Sequence, residues 1–115
     1  PCDDFVYLPG RGVTAKVAGK AVAAATQDGS GNNLKLKLDY ATKEAGAYPI
    51  ILVSYHIYCN EYQDQDTADA AKAFGQYVVS EEGQQASADA AHSAPLSEKM
   101  RQEAHDAIDQ ITAAG

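Results

Sequence analysis

Polar and apolar positions follow three different rhythms along this chain. Residues 34–38, Leu-Lys-Leu-Lys-Leu, set three leucines against two lysines at a period of two, which predicts a strand with one wet face. Residues 47–59, AYPIILVSYHIYC, form an uncharged run in which β-branched and aromatic side chains follow Pro49. A helix of that length would carry charges on its outer face, so this run predicts a strand over 50–58 buried on both sides. From residue 66 the spacing becomes helical. Asp66 or Thr67 can cap a helix with Ala70, Ala71, Phe74, Tyr77 and Val78 on one side and Asp69 in its first turn. Ser80, Glu81 and Glu82 open a second, alanine-rich helix. Ser97 caps a third, whose apolar stripe is Met100, Ala104, Ala107, Ile108 and Ile111.

The N-terminal part is less regular. Residues 3–8 read as a short strand ended by Pro9 and Gly10, and Val13, Val17, Ala21, Ala24 and Ala25 fall on one face of a helix over 13–26 that Gly19 weakens. Residues 28–33, DGSGNN, are turn chemistry. The layout is therefore α/β: helix, strand, strand, then three helices, with no internal repeat and no linker. A strand buried over 50–58 needs a covering layer on each face and a neighbour at each edge, and the other elements are too few to supply them.

Composition narrows the function classes. At 115 residues the chain has room for one modest core, and its 45% hydrophobic content is largely alanine, with two Phe, one Met and no Trp. A net charge of −7 with nine scattered Lys and Arg argues against nucleic acid and anionic membranes as partners. No stretch reaches the ~20 apolar residues of a membrane helix, and no signal peptide is visible. Cys2 and Cys59 permit one disulfide, which would suit an exported protein, or remain two unrelated thiols.

The candidate chemistry is sparse. His56 and Cys59 are three apart, a spacing that sends them to opposite faces of a strand, so they do not make a nucleophile and its base. His92 and His105 sit in separate helical segments, and no HxxxH or CxxC pattern marks a metal site. Glu81, Glu82 and the acids of 61–69 read as a solvated surface. The turn DGSG could cradle an anion only if its amides opened into a nest or a helix N-terminus, and here it runs into a strand.

Three phrases carry a resemblance. LKLDYATKEAGAYPIILVSYHIYC, then AFGQYVVSEEGQQAS, then SAPLSEKMRQEAHDAI together resemble the C-terminal part of the phosphate-binding proteins of ABC importers, most of all the actinobacterial ones, over about Leu34 to Ile111. Residues 1–33 match only loosely. The resemblance implies a type II periplasmic-binding-protein fold, in which two α/β lobes hold phosphate in a cleft between them. All 115 residues would be a C-terminal portion. Residues 34–59 would supply strands, including one crossing the hinge, and 66–111 the helices packed back onto the first lobe. The family's Arg-x-Asp-Gly-Ser-Gly-Thr motif is echoed at 28–31, but Thr26 stands where its arginine belongs and Asn32 where its threonine belongs. No phosphate ligand is therefore expected in this segment, and neither an enzyme activity, a metal nor a cofactor.

The expected function is that of a phosphate receptor component outside the membrane, exported to the cell envelope. Its partners would be inorganic phosphate held by residues elsewhere, the importer's permease, and the N-terminal portion of the same protein. Two rivals remain: a free-standing acidic α/β module that meets a basic protein, and a small thiol enzyme, which needs Cys59 reduced and reactive.

Overall fold

The computed structural model describes residues 20–22, 24–48 and 50–115. Its elements run β1 (Thr26–Gln27), β2 (Leu36–Lys37), β3 (Glu61–Tyr62), α1 (Gln65–Val79), α2 (Glu81–Ala91), α3 (Glu98–Asp109) and β4 (Thr112–Ala113). β1 and β2 pair antiparallel, Thr26 opposite Lys37 and Gln27 opposite Leu36. β3 and β4 pair parallel, Glu61 opposite Thr112 and Tyr62 opposite Ala113. The last strand thus returns beside the lead-in to α1, and the three helices with this ladder close into one unit. The amides of Thr112 and Ala114 seal it, bonding the carbonyls of Asn60 at 3.0 Å and Tyr62 at 2.8 Å.

The core of that unit is small. Ala68, Ile108 and Ile111 are buried, with Tyr58, Tyr62, Val79 and Ala113 half-buried against them. α3 buries the stripe its spacing predicts, since Met100, Ala104 and Ala107 are half-buried and Ile108 and Ile111 buried. α1 does not. Its buried positions are Ala68 and Gly75, whereas Phe74 is 57% exposed and Tyr77 49%. The reason is backbone proximity: a Cβ on Gly75 would lie 3.2 Å from Ile108 Cδ1 and 3.3 Å from Tyr58 Cζ, so only a face of small residues lets the two helices approach this closely. Gln76 then reaches across to Asp109, Nε2 to Oδ1, at 2.6 Å.

Caps explain where the helices begin. α1 starts two residues before the expected Asp66, because Asp64 is its N-cap: Oδ1 accepts the Thr67 amide at 2.8 Å and Oδ2 accepts the Thr67 hydroxyl at 2.8 Å. These bonds, the amide's first, hold the Asp64 carboxyl below its usual range. A depressed folded-state value means the cap contributes fully above the unfolded value of ~3.9 and is lost as pH falls through the folded one. Helical ellipticity is therefore expected to drop below about pH 4. Asp64→Asn, which caps without titrating, is expected to flatten that part of the profile in circular dichroism.

Ser80 serves two helices. Its hydroxyl donates to the Tyr77 carbonyl at 2.7 Å and accepts the Gly83 amide at 3.0 Å, ending α1 and starting α2 in one residue. Ser97 caps α3 through the Met100 amide. Ser80→Ala is expected to destabilise the unit by about 1 kcal/mol, read as a lower urea midpoint with an unchanged slope.

The N-terminal expectations fare unevenly. The strand over 3–8, residues 13–19 of the expected helix and its Ala23 lie outside the described residues. Residues 20–22 are helical, and the Ala24 amide bonds the Lys20 carbonyl at 3.1 Å, but Thr26 already belongs to β1, so the helix stops short of 26. Burial alternates over 34–38 as expected, leucines half-buried and lysines exposed, although only Leu36 and Lys37 join a ladder.

Residues 50–58 depart furthest. None belongs to a strand, and Ile50 is 62% exposed, Leu52 74% and Ile57 94%. A doubly buried strand requires layers on both faces, and the described residues supply them only in part: Ile51 and Val53 are half-buried, the Leu36 amide donates to the Tyr55 hydroxyl at 2.9 Å, and only Tyr58, at the end of the run, packs against the helical core.

Candidate functional site

Two features invite a functional reading: the DGSGNN turn and the apolar flank at 50–57. The turn closes the β1–β2 hairpin, and three of its amides, those of Asp28, Gly29 and Asn33, are directed inward. The amides of Asp28 and Gly29 both bond the Lys35 carbonyl, at 2.7 and 3.3 Å, and the Asn33 amide bonds the Ser30 carbonyl at 3.1 Å. The Asn33 side chain accepts the Lys35 amide at 3.1 Å. Asp28 and Lys35 form an ion pair at 2.8 Å, and the hydrogen bond between them lowers the Asp28 carboxyl and raises the Lys35 ammonium relative to their usual values. Asn32 ties the turn to the end of α3 by donating to Gln110 Oε1 at 3.0 Å. Gly29 has no room for a side chain, since a Cβ there would meet the Asn33 carbonyl oxygen at 1.9 Å.

The flank has another character. Ile50, Leu52, Tyr55 and Ile57 are exposed, and Leu52 and Tyr55 join Ile51, Val53, Tyr40 and residues 35–38 in walling an open depression of about 400 Å³. At its C-terminal end the flank turns onto α1. His56 stacks with Tyr58 at 6.1 Å between ring centres and meets Phe74 at 6.1 Å, and its Nδ1 lies 3.2 Å from the Tyr58 hydroxyl. Burial, and secondarily the neighbouring Tyr62, push the Tyr58 phenol up. Cys59 is exposed with a free thiol, its amide bonded to the Tyr62 hydroxyl at 3.3 Å, while Cys2 lies outside the described residues. His105 faces Asp109 at 3.6 Å on its own helix, and among the described residues no group of His, Cys, Asp and Glu could hold a metal ion. Among those residues no helix is long and apolar enough to cross a membrane.

The family model of a PBP superfamily domain matches residues 4–82, more than half of the chain. The chain belongs to the PBP superfamily. The match takes in the N-terminal residues, which the recognised phrases left out, and stops in the first turn of α2, short of Ile111. Curated PBP relatives include the phosphate-binding protein PstS 3 of Mycobacterium tuberculosis H37Rv, 41% identical over 69 residues, PstS 2 of the same strain at 38%, and PstS 3 of Mycobacterium leprae at 36%. Each match covers 58% of this chain and 19% of the relative, so the chain spans about a fifth of the length of the relatives it matches. No solved structure matches it. Mixed helices and short strands fit part of a type II PBP fold.

Two of the phrases that carry the PBP resemblance turn out to be joints. In YVVSEEGQ, Tyr77 and Val78 supply carbonyls, Ser80 caps two helices, Gly83 is buried at the corner and Gln84 donates to the Val78 carbonyl at 2.8 Å. The same Gln84 accepts the Leu96 amide at 2.8 Å, tying the APLSEK phrase to that corner. Gln84 and the His56–Phe74 contact were not singled out from sequence. Gln84 follows the Ser80 cap by four residues, a local signal, whereas the aromatic contact joins distant segments and leaves none.

Proposed function

We infer that this chain is the C-terminal structural segment of a phosphate-binding receptor serving an ABC-type importer. The observation that carries the reading is the apolar flank of 50–57, exposed beside a helical unit that closes on itself, in a PBP chain whose relatives are named phosphate-binding proteins. In the intact receptor the N-terminal portion covers that flank, 50–58 becomes an internal strand near the hinge, and α1 to α3 pack against the lobe it completes. Phosphate is held by residues outside this segment. The inward-turned amides of Asp28, Gly29 and Asn33 and the Asp28–Lys35 pair support that assignment. The receptor works by binding and transport rather than catalysis, is exported to the cell envelope, and meets the permease when its lobes close on phosphate.

A chimera tests this reading. In the M. tuberculosis PstS 3, the 69 matched residues are replaced by those of this chain. The chimera is expected to fold and to bind phosphate in preference to sulfate with an affinity within about tenfold of the parent, a change of about 1.4 kcal/mol or less. A folded chimera with no phosphate binding would refute the structural assignment.

A further inference from the structure

We propose that the Asp28–Gly29 bond is a site of spontaneous isoaspartate formation, and that Lys35, by engaging both reacting groups, holds its rate down. The reaction needs no reactant other than water.

The sequence offers this chemistry at one place. The amide nitrogen of the following residue must reach the Asp side-chain carbon, and a side chain on that residue hinders the approach. Asp28–Gly29 is the sole Asp-Gly or Asn-Gly pair in the chain. The fold keeps the glycine there: a Cβ on Gly29 would overlap the Asn33 carbonyl, so the turn excludes the substituents that would slow the attack. Asp28 is exposed and Gly29 half-buried, so water reaches the bond.

The step balances without a redox partner. The Gly29 nitrogen loses its proton and attacks Asp28 Cγ; a C–N bond forms, a Cγ–O bond breaks and water leaves, giving a five-membered succinimide. Water then adds to one of the two ring carbonyls. Opening at Cγ restores aspartate. Opening at the former main-chain carbonyl breaks the original peptide bond and leaves the chain joined through Cγ, which is isoaspartate.

Lys35 restrains both partners of the first step. Cyclisation is faster from a protonated carboxyl, whose oxygen leaves as water, than from a carboxylate. Lys35 Nζ lies 2.8 Å from Asp28 Oδ2 and favours the carboxylate. The Lys35 carbonyl accepts the Gly29 amide at 3.3 Å and the Asp28 amide at 2.7 Å, which turns the attacking nitrogen toward β2. The ion pair is exposed at both ends and the 3.3 Å bond is long, so the restraint slows the reaction without abolishing it. The product inserts Asp28 Cβ into the main chain, which displaces the turn and with it the Asn32 bond to Gln110 that joins the hairpin to α3.

Ageing of the full chain for weeks at physiological temperature and neutral pH tests the proposal. Isoaspartate is quantified by isoaspartyl methyltransferase labelling and located by peptide mapping, in the parent, Lys35→Met and Lys35→Arg. The expected result is isoaspartate at position 28 in the parent, several-fold faster accumulation in Lys35→Met, and a parental rate in Lys35→Arg, which keeps the charge beside Asp28. An aged parent without isoaspartate at 28 would overturn the proposal. So would Lys35→Met ageing at the parental rate, or Lys35→Arg ageing as fast as Lys35→Met.

Discussion

Gly83→Ala is expected to destabilise the helical unit by roughly 3 kcal/mol, the upper range for forcing an extra carbon into a packed site. Taken alone, alanine in place of glycine favours a helix by about 1 kcal/mol, so propensity predicts the opposite sign. The site decides against propensity. A Cβ at Gly83 would stand 2.0 Å from the Tyr77 carbonyl oxygen and 2.9 Å from its carbon, and these are backbone atoms that cannot rotate aside. The same carbonyl receives the Ser80 amide and hydroxyl, so moving it loosens the end of α1 and the cap of α2 together. Thermal unfolding followed at 222 nm is expected to show a melting temperature lower by roughly 10 °C. An unchanged or higher value would mean that the corner is not packed as described.

Ile108→Ala is expected to be comparably severe, destabilising by roughly 3 kcal/mol through the lost side-chain burial and the cavity left behind. Ile108 is 7% exposed and occupies the groove that Gly75 opens in α1, with Ala68 and Ile111 completing the cluster. So small a cluster has no second layer to collapse into the gap. Chemical denaturation of the variant measures the loss, and Phe74→Ala is the informative comparison: its ring is 57% exposed, so its truncation is expected to change stability far less than that of Ile108. Equal losses at the two positions would reverse the assignment of the inner face of α1.

That reversal bears on what the sequence could convey. Spacing made the stripe of α3 and the caps at Ser80 and Ser97 readable, because both are local: a stripe recurs every three or four residues and a cap acts within one turn. The inner face of α1 was misread because Phe74 and Tyr77 carry the bulk expected of a core, whereas Ala68 and Gly75 carry the small volume that a close helix crossing demands. β3 and β4 have only two residues each, too few to show any period. The run 50–58 was readable as a segment made for burial, but hydrophobicity records the surroundings a segment requires and not which residues supply them. Among the described residues those surroundings come from the β2 hairpin near Tyr55 and from α1 at His56 and Tyr58. The recognised phrases were legible for a related reason. Two of them, YVVSEEGQ and APLSEK, encode a corner and a cap of the fold and place no ligand.

The central claim is that this chain contributes scaffold to a phosphate receptor while the phosphate ligands lie elsewhere. Titration of the isolated chain with phosphate in a calorimeter, with sulfate as the control anion, tests it most directly. The account predicts no heat of binding from either anion. Saturable, phosphate-selective heat would contradict it, and would make the DGSG turn or a helix N-terminus of this chain part of a working site.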